Sequence, residues 1–329
     1  MNPVRVGLVG LGSMGKNHLR VLSEHPDFDL VAVADKDVKL RKDAATFFTK
    51  GYSSAAKMIE GADLEAIVVA SPTVTHTEIA MLAIRSGIPA LIEKPLASTY
   101  EAAYELYQLS ERLRVPVQVG HVERYNPAVL LLGELLKGGT LSEVYSATST
   151  RAGPLPERIR DVGVTIDLAT HDVDILSWII GERPTRVYAE STQQLHAVHE
   201  DLTYGLLKFP SGKVGMLEVN WLTPAKRRSL RVLGKEGMFE LDYLTQELTW
   251  TQANGGTTLL DGYAPMITGG STELLIEKKE PLKAQLDEFL SVIRTGKRPY
   301  VSAEDGAWAV RIAQALLSSS IEGTPVYLR

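Results

Sequence analysis

Apolar positions in the first third of the chain come in short runs separated by stretches of helical spacing. Val4-Arg5-Val6-Gly7-Leu8-Val9 reads as a buried strand, and a helix follows from about Ser13 to Glu24. Leu30 to Ala34 predicts a second strand, with a polar helix carrying Leu40, Ala44 and Phe47 after it. Ala66–Ala70, Ala90–Ile92 and Val117–Val119 are further apolar runs of strand length. Between them, Thr75–Ser86 and Ser98–Arg114 carry apolar residues at helical spacing. Such strand–helix alternation predicts parallel strands with helices on both faces of one sheet.

The pattern changes near Gly120. Val144–Thr150, Thr185–Thr192, Leu202–Phe209, Lys213–Trp221, Leu230–Leu233 and Met238–Tyr243 show β-branched and aromatic alternation. Pro210-Ser211-Gly212 and Lys235-Glu236-Gly237 are turn signals between such runs. One helix, about Thr165 to Ile180, interrupts this half, and Gly181 is placed to end it. Helices over about Leu282–Arg294 and Ala303–Ser320 close the chain. The expected fold class is α/β: a doubly wound parallel sheet over residues 1–122, then an α/β domain with a mostly antiparallel sheet over 123–329.

Composition narrows the function. A chain of 329 residues, 44% hydrophobic and 23% charged, fits roughly two globular domains of ~100–200 residues. Its net charge of −5, without a basic block, predicts no nucleic-acid partner, although the short run Lys226-Arg227-Arg228 is able to hold a phosphate. The absence of cysteine excludes disulfides, thiolate catalysis and thiolate metal sites. Glycines interrupt the apolar start at Gly7, Gly10, Gly12 and Gly15, unlike a signal peptide, and no apolar run approaches the roughly 18 residues of a membrane span. A cytoplasmic protein without a membrane partner is expected.

Gly10-Leu11-Gly12-Ser13-Met14-Gly15 matches G-x-G-x-x-G between an apolar strand and a helix. Gly10 allows a tight turn, Gly12 lets backbone approach a pyrophosphate, and Gly15 permits close helix–strand packing. The helix N-terminus offers free N–H groups to the phosphates. Asp35 lies 20 residues after Gly15, where a carboxylate can accept the ribose hydroxyls. Together these predict a Rossmann-type site for NAD. The carboxylate disfavours the 2′-phosphate of NADP, and neighbouring Lys36 offsets part of that repulsion.

Two further segments carry chemistry. The strand at Ala90–Ile92 ends in Glu93-Lys94-Pro95, which puts Lys94 at the edge where ligands bind in open α/β sheets, and Pro95 restricts its backbone to extended forms. From that segment alone, an ordinary surface lysine is an equal alternative. On the helix of the second half, Asp167, His171 and Asp174 fall on one face. A carboxylate one turn from a histidine orients the ring and raises its basicity; a solvated ion pair has the same spacing. This set matches no metal-ligand pattern, so no metal is expected. His196 and His199 precede a predicted strand and read as solvent-exposed.

Five segments in order resemble the glucose–fructose oxidoreductase, inositol dehydrogenase and rhizopine catabolism (Gfo/Idh/MocA) family. They are residues 6–15, Ser71-Pro72-Thr73-Val74-Thr75-His76, Glu93-Lys94-Pro95-Leu96-Ala97, Gly120-His121-Val122-Glu123-Arg124-Tyr125-Asn126-Pro127, and Asp167-Leu168-Ala169-Thr170-His171-Asp172-Val173-Asp174. The resemblance covers essentially the whole chain and favours a functional Lys94. It implies a Rossmann domain followed by an α/β domain with a large open sheet, assembled into homodimers or homotetramers. One departure is visible: many members carry several glycines before the Asp-x-x-x-His segment, where this chain reads Arg160-Asp161-Val162-Gly163-Val164. Gly120 to Pro127 and the Asp-Val-Gly-Val-x-x-Asp-Leu-Ala-x-His-Asp stretch over residues 161–172 also look like the nucleotide-sugar 3-dehydrogenase subgroup, UDP-N-acetylglucosamine 3-dehydrogenases among them.

What the resemblance implies is NAD-dependent oxidation of a secondary hydroxyl of a sugar, at C3 of a nucleotide-linked hexosamine. Lys94, Asp167 and His171 are the expected catalytic residues. Gly10, Gly12, Ser13, Met14, Gly15, Asp35, Ser71, Pro72, Thr73, His76, Glu93 and Lys94 are expected at the cofactor. Arg124, Tyr125, Asn126, Arg151, Arg160 and His171 are candidates for the substrate side. Inositol or free-sugar oxidation is the competing reading; a redox-assisted glycosidase and a non-catalytic dinucleotide-binding regulator follow.

Overall fold

The computed structural model describes residues 2–45, 49–156, 162–253, 257–258, 266–267 and 270–328. Phe47 and Arg160 lie outside the described residues. The chain divides into two compact units: Met1–Val122 with Glu280–Arg311, and Glu123–Lys279 with Ile312–Arg329. Residues 280–311, contiguous in sequence with the second half, therefore cluster with the first.

The first unit opens β1 (Val4–Val9), α1 (Ser13–Glu24), β2 (Phe28–Ala34), α2 (Val38–Ala44), β3 (Lys50–Tyr52) and α3 (Ala55–Gly61). It continues β4 (Ala66–Val69), α4 (His76–Arg85), β5 (Ala90–Glu93), α5 (Tyr100–Leu113) and β6 (Val117–Gly120). These strands form one parallel sheet in the order β3-β2-β1-β4-β5-β6. All residues of β4 and β5 are buried, because helices cover both faces, and this is why those runs are uniformly apolar rather than alternating.

The second unit holds α6 (Pro127–Lys137), β7 (Val144–Pro154), a π-helical turn (Thr165–Ala169) running into α7 (Thr170–Ile180), β8 (Arg186–Thr192), β9 (Leu202–Lys208) and β10 (Val214–Asn220). Next come β11 (Leu222–Gly234), β12 (Gly237–Asp242), β13 (Glu247–Gln252), the short pair β14 (Thr257–Thr258) and β15 (Met266–Ile267), and β16 (Ser271–Leu274). After α8 (Pro281–Thr295) and α9 (Ala303–Glu322), β17 (Val326–Tyr327) completes a nine-stranded sheet. Its order is β16-β13-β12-β11-β7-β10-β9-β8-β17, and every pairing but the parallel β7–β10 is antiparallel.

Along β7, Ala147, Ser149 and Arg151 are buried while Thr148 and Thr150 are half-exposed, so one face of this sheet is covered. On other strands Tyr204, Leu206 and Met216 remain exposed. α7 packs closely on α6: a Cβ at Gly133 would lie 2.3 Å from Trp178 Cη2. α8 seals the first unit, placing Leu282, Leu286 and Phe289 in one core with Val6, Leu8, Leu11 and Leu22. Their spacing sets all three on one helical stripe. Among the described residues, no helix is long and apolar enough to cross a membrane.

Candidate active site

The parallel sheet brings the ends of β1, β2, β4 and β5 to one edge, with the strand order reversing between β1 and β4. At that point the chain turns through Gly10, whose φ is +87° and whose Cβ would lie 2.6 Å from Ala70 C and Ser71 N. Gly15 has no room for a side chain either, since a Cβ would come 2.0 Å from Gly10 O. At Gly12, by contrast, a Cβ would meet nothing within 4 Å. α1 begins after Gly12 with no side chain capping it, so its first-turn N–H groups face outward as an anion site requires. Ser13 is exposed and Met14 half-buried in that turn.

Asp35 follows β2 and is fixed by backbone: Oδ2 accepts from Leu11 N at 2.7 Å, and Oδ1 from Asp37 N at 2.9 Å. Each oxygen keeps a further lone pair. The same carboxylate thus holds the glycine loop and remains able to accept ribose hydroxyls. Arg41, which the sequence reading passed over, donates to Asp35 O and Lys36 O at 2.5 and 3.0 Å, fixing the turn that carries the acid. An open pyrophosphate turn, an uncapped helix start and a placed acid together fit NAD.

Beyond β4, Ser71, Pro72 and Thr73 form a surface turn in which Ser71 Oγ pairs with Thr75 Oγ1 at 2.7 Å. His76 is buried beneath it. Its Nε2 meets Ser71 O and its Nδ1 meets Pro95 O, both at 2.9 Å, so one ring ties the turn after β4 to the loop after β5. Burial holds this imidazole below its ordinary range, outweighing the two carbonyls that pull it up. Glu93 points inward, with Oε1 2.7 Å from His18 Nε2 and Oε2 accepting from Lys94 N at 3.3 Å. Half-buried Lys94 follows at the very end of β5.

In the second unit, the helix expected over 165–180 is present, but its first turn is π-helical. π turns recur at functional sites because they re-aim a side chain without ending the helix. Asp167 lies in this turn and His171 just after it, both half-buried. Glu200 holds the helix start, taking Val164 N on its carbonyl at 3.0 Å and Thr165 N on its carboxylate at 3.1 Å. A Cβ at Gly163 would lie 2.1 Å from that carboxylate, so a larger residue there would push the Glu200 side chain off the helix start. Gly181, at φ +75°, ends the helix as expected.

The next two acids on α7 are tied to buried arginines. Arg124 makes a two-pronged pair with Asp174, both contacts 2.7 Å, and stacks 5.3 Å from the Trp178 ring. Arg151 donates to Asp172 at 2.9 Å and to Glu123 at 3.0 Å, and Ser149 Oγ adds a bond to Asp172 at 2.5 Å. Burial lowers the Arg151 pKa, and the two carboxylates more than reverse this. Asn126 caps α6 through Ala128 N at 3.1 Å and donates to Tyr243 O at 3.1 Å, with Tyr125 buried beside it in the chain.

His196 and His199 are half-buried rather than exposed. His196 Nδ1 accepts from Val198 N and His199 N, and its ring lies 5.9 Å from Trp221. The turn is organised by Asp201, whose carboxylate collects the N–H groups of Gln194, Leu195 and His196. His18, Glu200 and Asp201 were not singled out from sequence. His18 falls three residues after Gly15 on α1, a local signal; Glu200 and Asp201 had none.

Residues 4–121 match the family described as the oxidoreductase family with NAD-binding Rossmann fold, and residues 129–240 match the GFO/IDH/MocA C-terminal domain. The chain is 29% identical over 325 residues to the rhizopine catabolism protein MocA of Rhizobium meliloti, covering 96% of this chain and 94% of the relative. It is 24% identical over 316 residues to a UDP-N-acetylglucosamine 3-dehydrogenase of Acidithiobacillus ferrooxidans, covering 95% of each. A solved structure of UDP-N-acetylglucosamine 3-dehydrogenase GnnA from that organism superposes with a TM-score of 0.86 at 21% identity, covering 97% of this chain and 98% of that one. With both domains matched in order and the glycine turn, Asp35 and the strand-end edge assembled as the cofactor needs, this chain belongs to the Gfo/Idh/MocA family of NAD-dependent oxidoreductases.

Proposed function

We propose that this chain oxidises a secondary hydroxyl of a sugar, at C3 of a nucleotide-linked sugar such as UDP-N-acetylglucosamine. The observation that carries the reading is the place of Lys94. It stands at the C-terminal end of β5, on the same sheet edge as Gly10 and Asp35, where a cofactor-bound reaction centre belongs. NAD⁺, when bound, accepts the hydride. His171, oriented by Asp167, takes the hydroxyl proton, and the Lys94 ammonium donates a charge-assisted hydrogen bond to the oxygen as negative charge develops.

Supporting residues divide accordingly. Asp35 accepts the ribose hydroxyls and favours NAD over NADP. Glu93 and His76 set the loops that flank Lys94. Arg124 and Arg151 hold α7 in place through the buried pairs described above, and Asn126 caps α6 and ties it to Tyr243, rather than touching substrate. The relative at 24% identity supports a nucleotide-sugar substrate. A homodimer or homotetramer in the cytoplasm completes the proposal, supported by the exposed Tyr204, Leu206 and Met216.

The test is a panel of UDP-sugars, inositols and free sugars offered with NAD⁺. NADH formation with UDP-N-acetylglucosamine above the inositols and free sugars is the expected result. Equal or greater rates with inositols would move the substrate to that class.

A further inference from the structure

We propose that Arg228 binds an oxyanion carried by the substrate, a phosphoryl or carboxylate group, beside the turn that bears Asp167. The inference rests on the oxidoreductase reading of that helix and deepens it by naming a substrate chemistry.

Arg228 stands directly opposite Arg151 in the β7–β11 ladder. Residues paired in this way project from the same face, and like charges so placed repel. Arg151 is compensated by Asp172 and Glu123. Arg228 is not: it makes no ion pair with any described residue, and its Nη1 is sealed from solvent without a hydrogen-bond acceptor. A guanidinium stays protonated, so in this half-buried side chain the sealed Nη1 group carries a desolvation penalty until an acceptor reaches it.

Local backbone geometry agrees. Leu222 pairs with Pro154 and Arg227 with Ala152, so five steps along β11 span two along β7. A bulge of this kind re-aims the residues next to it and recurs near active sites. Burial and Arg151 lower the Arg228 pKa, while Asp172, Glu123 and Asp167 pull it back, which puts the guanidinium within electrostatic reach of Asp167. Its planar fork suits a phosphoryl or carboxylate group better than a neutral hydroxyl.

Calorimetric titration in the presence of NADH tests this with two matched pairs: N-acetylglucosamine 1-phosphate against N-acetylglucosamine, and glucuronate against glucose. The expected result is that the charged member of one pair binds about 10- to 100-fold tighter, the scale of a charge-assisted contact, and that the pair showing it identifies phosphoryl or carboxylate. Arg228→Gln should abolish that preference and leave neutral-sugar affinity within about twofold. If Arg228→Gln does not fold, Arg228→Lys, which keeps the charge without the fork, must lower the preference by about threefold or more. The proposal is overturned if the preference survives these substitutions, or if the native protein shows none in either pair. Because binding is read apart from turnover, a panel with no NADH formation overturns the oxidoreductase reading separately.

Discussion

His18 Nε2 lies 2.7 Å from Glu93 Oε1, and both side chains are buried. This contact ties α1, which starts at the glycine turn, to the end of β5, which carries Lys94. Gly120 keeps the space open, since a Cβ there would lie 2.8 Å from Glu93 Oε2. Glu93→Ala should therefore misplace Lys94 and lower kcat by about 100-fold, the scale of a small displacement at a reacting centre. KM for NAD⁺ should change far less, and Glu93→Gln, which keeps an acceptor, should recover most of the rate. Steady-state kinetics on both variants decide it; an unchanged kcat in Glu93→Ala would remove the positioning role.

Asp35 braces the glycine loop through Leu11 N, and in the proposed function it has a second role, accepting the ribose hydroxyls. Asp35→Ala should weaken NAD by about tenfold or more and NADP by less, because lost acceptor contacts are partly offset for NADP by removal of a repelling charge. Fluorescence titration with NADH and NADPH measures this, and equal losses would take Asp35 off the ribose.

Arg124 and Asp174 form a buried two-pronged pair beneath α7. Asp174→Ala leaves a buried guanidinium unpaired and should cost about 3–5 kcal/mol of stability in urea unfolding. The double variant Arg124→Met with Asp174→Leu should recover much of that, and its affinity for substrate should match the native protein. Loss of substrate binding in a folded double variant would return Arg124 to the substrate side.

His76 is held below the ordinary imidazole range by burial. The unfolded chain therefore takes up its proton first as pH falls, so stability present above about pH 6.5 declines below it. His76→Asn should flatten the fall in urea-unfolding free energy between about pH 7 and pH 5. An unchanged slope would contradict the assignment.

How far the sequence reading reached follows from how local each signal is. Gly10 to Gly15 and Asp35 were legible because the turn, the helix start and the strand end are each written in a few adjacent residues. The helix of 165–180 and its Gly181 stop were legible for the same reason. The π turn within it was not, because its start is held by Glu200, thirty-five residues after Thr165. Arg124 and Arg151 stand out in the sequence as candidates for the substrate side, since it shows their charge but not Asp174 and Asp172 folded against it. Likewise β13, largely half-exposed, and β16, largely exposed, give no clean alternation, and nothing local marks residues 280–311 as part of the first unit.

The central claim is hydride transfer from a sugar carbon to NAD⁺, and isotopic labelling reads it directly. UDP-N-acetylglucosamine deuterated at C3, incubated with the protein and NAD⁺, should yield NADH carrying the deuterium, detected by mass spectrometry. Lys94→Ala should still bind NADH but form the labelled product at least about 100-fold more slowly. NADH without label would contradict oxidation at C3, and no NADH from this or any other sugar would contradict the account as a whole.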